Sequence, residues 1–225
     1  EMTSSLVGSE MCIRDSPYLY LLVTLVISIV LMEVLVEIAE HTFIKPALQQ
    51  LELQFIAYVQ QFVTPPLTAE VMLVTASGSS TFYLLASALV CCWYLYSRQK
   101  DRLYLYLVCL CGGGILNQVL KRIFERVRPD IFPVIAESGY SFPSGHAMGA
   151  ICFYGILAYF AGLGLRSKPL RWGLMAAAGI YILLIGLSRV YLGVHYPTDI
   201  LAGYAAGATW LFFCITLHRI FRKRY

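Results

Sequence analysis

Three short segments hold the side chains able to do chemistry: residues 121–129 (KRIFERVRP), 143–146 (PSGH) and 188–199 (SRVYLGVHYPTD). His195 and Asp199 stand four residues apart with Pro197 between them. That spacing lets a carboxylate at a helix start accept a hydrogen bond from an imidazole in the preceding loop, fixing its tautomer. An imidazole held in this way can attack phosphorus, while His146 can protonate the leaving oxygen and later activate water. Lys121, Arg128 and Arg189 would meet the developing negative charge, the guanidinium forks matching pairs of phosphate oxygens and the ammonium adding a point charge. Pro143 biases Phe142 away from the helical region and Ser144 reads as an N-cap. The amides of Ser144, Gly145 and His146 would then add donors at a helix N-terminus, and Gly145 lets the backbone approach closely. The set suits a phosphate dianion. No run of carboxylates suggests a metal and no cofactor is expected, so the cations stand in for one.

Long apolar runs must position these segments. Of 225 residues, 59% are hydrophobic and 13% charged, against about 45–50% and about 25% in soluble domains. Mean hydropathy is +0.69. This excludes a soluble globular domain, a disordered chain and a disulfide scaffold. The apolar runs place spans at about 18–38, within 71–97, 103–120, 146–165, 170–187 and 200–217, the second interrupted near its start by the small polar stretch 75–81. The expected fold is all-α, a single six-transmembrane-helix bundle over residues 17–225. The first segment follows span three, the second opens span four and the third joins spans five and six, so all three meet at one face. Between spans one and two, Leu48, Leu51, Phe55, Val59 and Phe62 recur at helical spacing among Gln49, Gln50, Glu52, Gln54 and Gln60. They predict an amphipathic helix, either lying in the membrane interface or packed on the bundle top.

The net charge of +4 bears on orientation, not on nucleic acid, which is not an expected partner. Arg98, Lys100, Arg102, Arg166, Lys168, Arg171, Arg219, Arg222, Lys223 and Arg224 fall on the face carrying the C-terminus. The positive-inside rule makes that face cytoplasmic, with both termini there and the phosphate site on the opposite, extracytoplasmic side. Residues 1–16 are polar, lack the features of a signal peptide and change abruptly to the apolar run at Pro17, so they read as a segment foreign to the domain. Cys91, Cys92, Cys109, Cys111, Cys152 and Cys214 lie within apolar runs as small hydrophobes with no metal or disulfide spacing.

The ordered pattern K-x6-RP, PSGH and SR-x5-H-x3-D resembles the membrane-bound type 2 phosphatidic acid phosphatase (PAP2) superfamily, which includes bacterial phosphatidylglycerophosphate and undecaprenyl pyrophosphate phosphatases. The resemblance covers residues 17–225 and departs at no motif position. It implies a core like that of acid phosphatases and haloperoxidases. It further implies that His195 forms a phosphohistidine, Asp199 orients it, His146 is the general acid, and Lys121, Arg128, Ser144, Gly145 and Arg189 hold the phosphoryl group. The implied setting is a bacterial inner membrane, with a lipid phosphate as substrate, membrane lipids as surroundings and no metal.

Other readings stay beside this one. The same site could pass its phosphate to an acceptor lipid, or the basic cluster could bind an anionic lipid for transport, although a carrier has no evident use for the His195 and Asp199 pair. His41 and His218 read as interfacial residues. Arg122 and Arg126 are expected to point away from the motif and to snorkel toward headgroups. Glu33, Glu37 and Glu40 read as structural contacts. Asn117 and Gln118, one turn before Lys121, are expected to position it, and Gly112, Gly113 and Gly114 to allow close helix packing.

Overall fold

The computed structural model describes residues 17–44, 46–130 and 133–222, so the reading of residues 1–16 falls outside it. Among the described residues the secondary structure is entirely helical: α1 (Pro17–Ile44), α2 (Pro46–Gln60), α3 (Pro65–Ala76), α4 (Ser80–Tyr96), α5 (Lys100–Phe124), α6 (Gly145–Gly164), α7 (Lys168–Tyr191) and α8 (Pro197–Arg222). Among the described residues five helices are individually long and apolar enough to span a bilayer, and α3 with α4, bent by 49° at their junction, together have the length and hydropathy of a sixth. The chain is an integral membrane protein with the expected six-span architecture.

α1 shows why composition alone identifies a lipid-facing helix. Leu22, Leu25, Ile29 and Val36 are about half exposed, since hydrocarbon is their solvent, while Leu35 and Ala39 are buried against Ala202, Ala205 and Ala206 of α8. Small residues at that seam let two backbones approach, which is how packing replaces the hydrophobic effect inside a bilayer. A second core of Tyr83, Tyr106, Phe153 and Phe160 joins α4, α5 and α6. The described cysteines are free thiols.

The second span begins earlier than 71, at Pro65, because Pro at the first helical position supplies a φ already suited to a helix. The polar stretch is its break. Ser77 Oγ donates to the Val74 carbonyl at 2.7 Å, the Tyr154 hydroxyl donates to the Ser77 carbonyl at 3.0 Å, and Ser79 caps α4 by accepting from the Phe82 amide at 3.2 Å. Side chains thus satisfy backbone groups that water cannot reach in hydrocarbon. α6 carries one π-helical turn, residues 151–155.

Of the two placements open for the amphipathic helix, α2 takes the bundle top. Ile56 is completely buried among Ala147, Val190, Tyr196 and Ile200, and Gln60 Nε2 donates to the Tyr191 carbonyl at 2.9 Å. Glu52, expected on the polar outer face, is buried, whereas Leu51, Phe55 and Tyr58 are exposed. The C-terminal ends of α5 and α7, the N-terminal ends of α6 and α8, and α2 therefore converge at one end of the bundle.

Candidate active site

At that end the chain leaves α7 through a tight turn that Gly193 makes with a φ of +72°, a conformation a residue without Cβ adopts freely. Pro197 then starts α8. Between them lies His195, 1% exposed, and in the first turn of α8 lies Asp199, fully buried. Their contact is His195 Nδ1 to Asp199 Oδ2 at 3.3 Å, and the other ring nitrogen, Nε2, lies 3.1 Å from Arg128 Nη1. A guanidinium can only donate. Nε2 therefore carries a lone pair, the proton sits on Nδ1, and the aspartate selects the tautomer that leaves Nε2 unprotonated. Asp199 Oδ2 also accepts from the Tyr196 amide at 2.9 Å and from the Ser141 hydroxyl. Burial pushes the His195 imidazole down to about 4, with Arg128 and Arg189 reinforcing the shift and the hydrogen bond to Asp199 opposing it.

Across the site, Ser144 caps α6, its Oγ accepting from the Ala147 amide at 3.5 Å, while its own amide donates to the Asp199 carbonyl at 2.9 Å. Of the three amides expected to face phosphate, that of Ser144 is thus committed to tying α6 to α8. Those of Gly145 and His146 are left. A Cβ on Gly145 would lie 3.1 Å from Asn117 Oδ1, and Asn117 Nδ2 donates to the Pro143 carbonyl at 3.3 Å. Asn117 therefore positions the PSGH turn instead of Lys121, because its side chain points along α5 toward α6.

A cavity of about 880 Å³ opens between these elements. Lys121, Arg128, Gly145, His146 and His195 line it, with Ser144, Arg189 and Asp199 behind. Arg128 donates from Nε to the Gly139 carbonyl at 3.0 Å and from Nη1 to the Val194 carbonyl at 2.9 Å; Lys121 donates to the Tyr140 carbonyl. Arg189, 1% exposed, donates to Thr75 Oγ1 at 2.7 Å and pairs with Glu137, while its Nε has no partner. Glu137 also pairs with Arg128 at 3.0 Å. Burial raises its carboxyl, but Arg189 and Arg128 together outweigh that and hold it below the usual range. Desolvation likewise lowers the Arg128 guanidinium. An anion thus already sits on two of the three expected cations.

The cavity continues away from the histidines between Leu84, Ala88 and Cys91 of α4 and Leu107, Leu110 and Gly114 of α5. From Lys121 to Leu107 the helical rise spans roughly 21 Å, most of the depth of a bilayer's hydrocarbon core of about 30 Å.

Arg126 departs most from expectation. It does not snorkel: it is buried, donating to Asp199 Oδ1 at 2.6 Å, Thr198 Oγ1 at 2.8 Å and Glu52 Oε2 at 2.6 Å. The expectation assumed that the helix continues past Lys121. α5 ends at Phe124, with Glu125 left-handed at φ +45°, and beyond it the chain is non-helical, so Arg126 and Arg128 both turn into the site. Glu52, Glu137 and Ser141 were also unmarked in the sequence. The available signal was the two-residue spacing of Arg126 and Arg128 just before Pro129.

A model of the PAP2 superfamily matches residues 102–223. The chain belongs to the PAP2 superfamily. Among PAP2 relatives it is 40% identical over 156 residues to phosphatidylglycerophosphatase B of Bacillus subtilis, covering 68% of this chain and 76% of that one. It is 33% identical over 111 residues to the undecaprenyl-diphosphatase of Sulfolobus acidocaldarius, covering 48% of each chain. The crystal structure of a transmembrane PAP2 type phosphatidylglycerolphosphate phosphatase from Bacillus subtilis superposes with a TM-score of 0.79 at 31% identity, covering 88% of this chain and 96% of that one.

Proposed function

We propose that this PAP2 protein is an integral membrane lipid phosphatase that hydrolyses a lipid phosphomonoester or pyrophosphate through a phosphohistidine, without metal, at the extracytoplasmic face. The observation that carries the reading is the His195 tautomer: Asp199 holds Nδ1–H, and the Nε2 lone pair faces a cavity lined by cations and a second histidine. In the resting site Arg128 donates to that lone pair and Glu137 neutralises Arg128 and Arg189. An incoming phosphoryl dianion takes the place of Glu137, draws Arg128 onto its oxygens and frees Nε2. The bound dianion also lets His146 take up a proton from solvent; His195 Nε2 then forms a bond to phosphorus as the bond to the lipid oxygen breaks, and His146 gives that oxygen its proton. His146, now neutral, removes a proton from water; the water oxygen attacks phosphorus, and the phosphorus–nitrogen bond breaks to release inorganic phosphate. Lys121, Arg189 and the Gly145 and His146 amides face the charge that builds on the phosphoryl oxygens. Ser144 supports them by holding the turn.

The apolar branch of the cavity between α4 and α5 supports a substrate whose tail stays in the bilayer. The names of the relatives point to phosphatidylglycerophosphate or undecaprenyl diphosphate, with phosphatidic acid of the same class. The cation count on the loops at the far end supports cytoplasmic termini, and the likeness to a transmembrane phosphatase of Bacillus subtilis supports a bacterial cytoplasmic membrane.

The test is phosphate release by purified protein, wild type beside His195→Ala, from a panel of these lipids with chelator present. Wild type is expected to release phosphate, and His195→Ala to retain less than about one per cent of it. Mutant activity above that level removes His195 as nucleophile. Loss in chelator that added metal restores overturns metal-free chemistry, and phosphate recovered on an acceptor lipid instead of in solution makes the protein a transferase.

A further inference from the structure

We propose that Arg126, held in place by Glu52 of α2, is a positioning residue for the nucleophile, so that α2 is part of the active site. The inference rests on His195 being the nucleophile, as argued above. It goes beyond that reading because neither Arg126 nor Glu52 reaches the cavity or touches a reacting atom.

The cluster is closed. Arg126 Nη1 serves Asp199 Oδ1 at 2.6 Å and Thr198 Oγ1 at 2.8 Å, its Nη2 serves Glu52 Oε2 at 2.6 Å, and its guanidinium carbon lies 3.8 Å from the centre of the Tyr196 ring. Glu52 Oε1 in turn accepts from the Thr198 hydroxyl at 2.6 Å and the Thr198 amide at 3.0 Å. Glu52 and Arg126 are 4% and 7% exposed. Taking such charges out of water costs several kcal/mol per ion unless geometry and hydrogen bonds recover it. A cluster whose only function was to dock α2 could be replaced by apolar packing of the kind Ile56 already provides.

Its location gives it another role. The two oxygens of Asp199 are divided: Oδ1 belongs to Arg126, and Oδ2 takes His195 Nδ1, the Ser141 hydroxyl and the Tyr196 amide. With Oδ1 clamped, the carboxylate cannot rotate about its last torsion, and Oδ2 stays against the imidazole. Without the clamp both oxygens compete for the same donors. The proton on His195 is then no longer confined to Nδ1, and the fraction of rings presenting a lone pair to phosphorus falls. The other charges near Asp199 cannot substitute. Lys121 is directed to the Tyr140 carbonyl, and Arg128 is held by loop carbonyls, Glu137 and His195 itself.

The full-length protein, reconstituted in phospholipid vesicles, carries the test as wild type, Arg126→Gln, Arg126→Lys, Glu52→Gln, Asp199→Asn and the Arg126→Gln/Asp199→Asn double variant. Arg126→Gln should lower kcat for phosphate release by about 30- to 300-fold with KM within about threefold, an effect on the chemical step and not on binding. Arg126→Lys should recover at least about tenfold of that loss, because one donated hydrogen bond and a charge return to Asp199. In the Asp199→Asn background the Arg126 substitution should cost less than about threefold more, since both act through one carboxylate.

Histidine-selective 15N spectra give a readout that needs no turnover. Wild-type His195 should carry its proton on Nδ1, and Arg126→Gln should show a mixture of tautomers. Glu52→Gln, which leaves the pair with Asp199 in place, should show a smaller loss and a smaller change in the same direction, and it stands in if Arg126→Gln fails to fold. An unchanged kcat, losses that multiply in the double variant, or an unchanged tautomer would each overturn the proposal. Wild type that releases no phosphate overturns the phosphatase reading alone, while the tautomer spectra still decide the role of Arg126.

Discussion

His195 combines two features that oppose each other in water: it is neutral and it is hydrogen-bonded to a carboxylate. A carboxylate partner ordinarily raises an imidazole, yet burial first, then Arg128 and Arg189, bring this one down to about 4. The ring therefore keeps its lone pair throughout the neutral range, and in the proposed reaction it would gain a full positive charge only as nitrogen bonds to phosphorus, with Asp199 already in place to meet it. Titration of the His195 15N resonance, assigned by its loss in His195→Ala, should show a midpoint near 4; a midpoint near the ordinary 6.5 would mean the ring is not shielded from water. The sign for stability follows. Between about 6.5 and about 4 the unfolded chain binds a proton that the folded site refuses, so this residue's contribution is present above about 6.5 and is lost as pH falls through that window. The two histidines, the aspartate and the three motif cations were legible because their types and spacings leave few other uses. Arg126 was not, because reading its direction needs the end of α5 to be known to the residue, and helix ends are the least legible feature of a sequence. Glu137 was not, because nothing in its sequence neighbourhood marks a carboxylate as the partner of two motif cations.

The elements show a similar division. Apolar runs located all six spans, since a bilayer demands length and hydropathy and little else. What they hid is where the spans are interrupted. The break between α3 and α4 brings Gly78 under the site: a Cβ there would lie 2.5 Å from Ile185 Cγ2 and 3.0 Å from His146 Cδ2. Gly78→Val should therefore push the His146 ring off its place. The expected result is at least about a tenfold fall in kcat for phosphate release, with folding retained at a cost of about 1–3 kcal/mol, checked by kinetics beside thermal unfolding in detergent. Unchanged kcat would show that His146 can yield without losing its function. α2 was legible as an amphipathic helix and misread in its facing, because hydropathy assigns Glu52 to water and cannot foresee a buried arginine waiting for it.

The whole molecule joins two solvents. Polar chemistry occupies one end of the bundle, and the apolar branch of the cavity carries the same opening down between α4 and α5. Gly114 lines that branch and a Cβ there would meet nothing within 4 Å, so Gly114→Phe should fill it without disturbing the fold. We expect KM for a long-chain lipid phosphate to rise at least about tenfold, while release from a short, water-soluble phosphate ester stays within about twofold. Equal loss on both substrates would mean that the branch does not hold the tail. The fold and the meeting of the three motif segments at one face could thus be read from sequence, but the branch could not, because it is defined by how two helices face each other and not by any motif.

The closed cluster of Glu52, Arg126, Thr198 and Asp199 also has a history in biosynthesis. Its carboxylates lie 74 and 73 positions to either side of Arg126 in the chain, and a ribosome delivers them in order. The first acid reaches its side of the membrane unpaired, the arginine follows after two further spans, and the last acid arrives only with α8. Until then Arg126 lacks its aspartate and Glu52 its Thr198 donors, so α2 is held by its pair with Arg126 and by packing on Ala147 and Val190. Full burial of the first acid and the clamping of Asp199 beside His195 are therefore the same late event, so a nascent chain still lacking its final helix cannot hold the completed cluster.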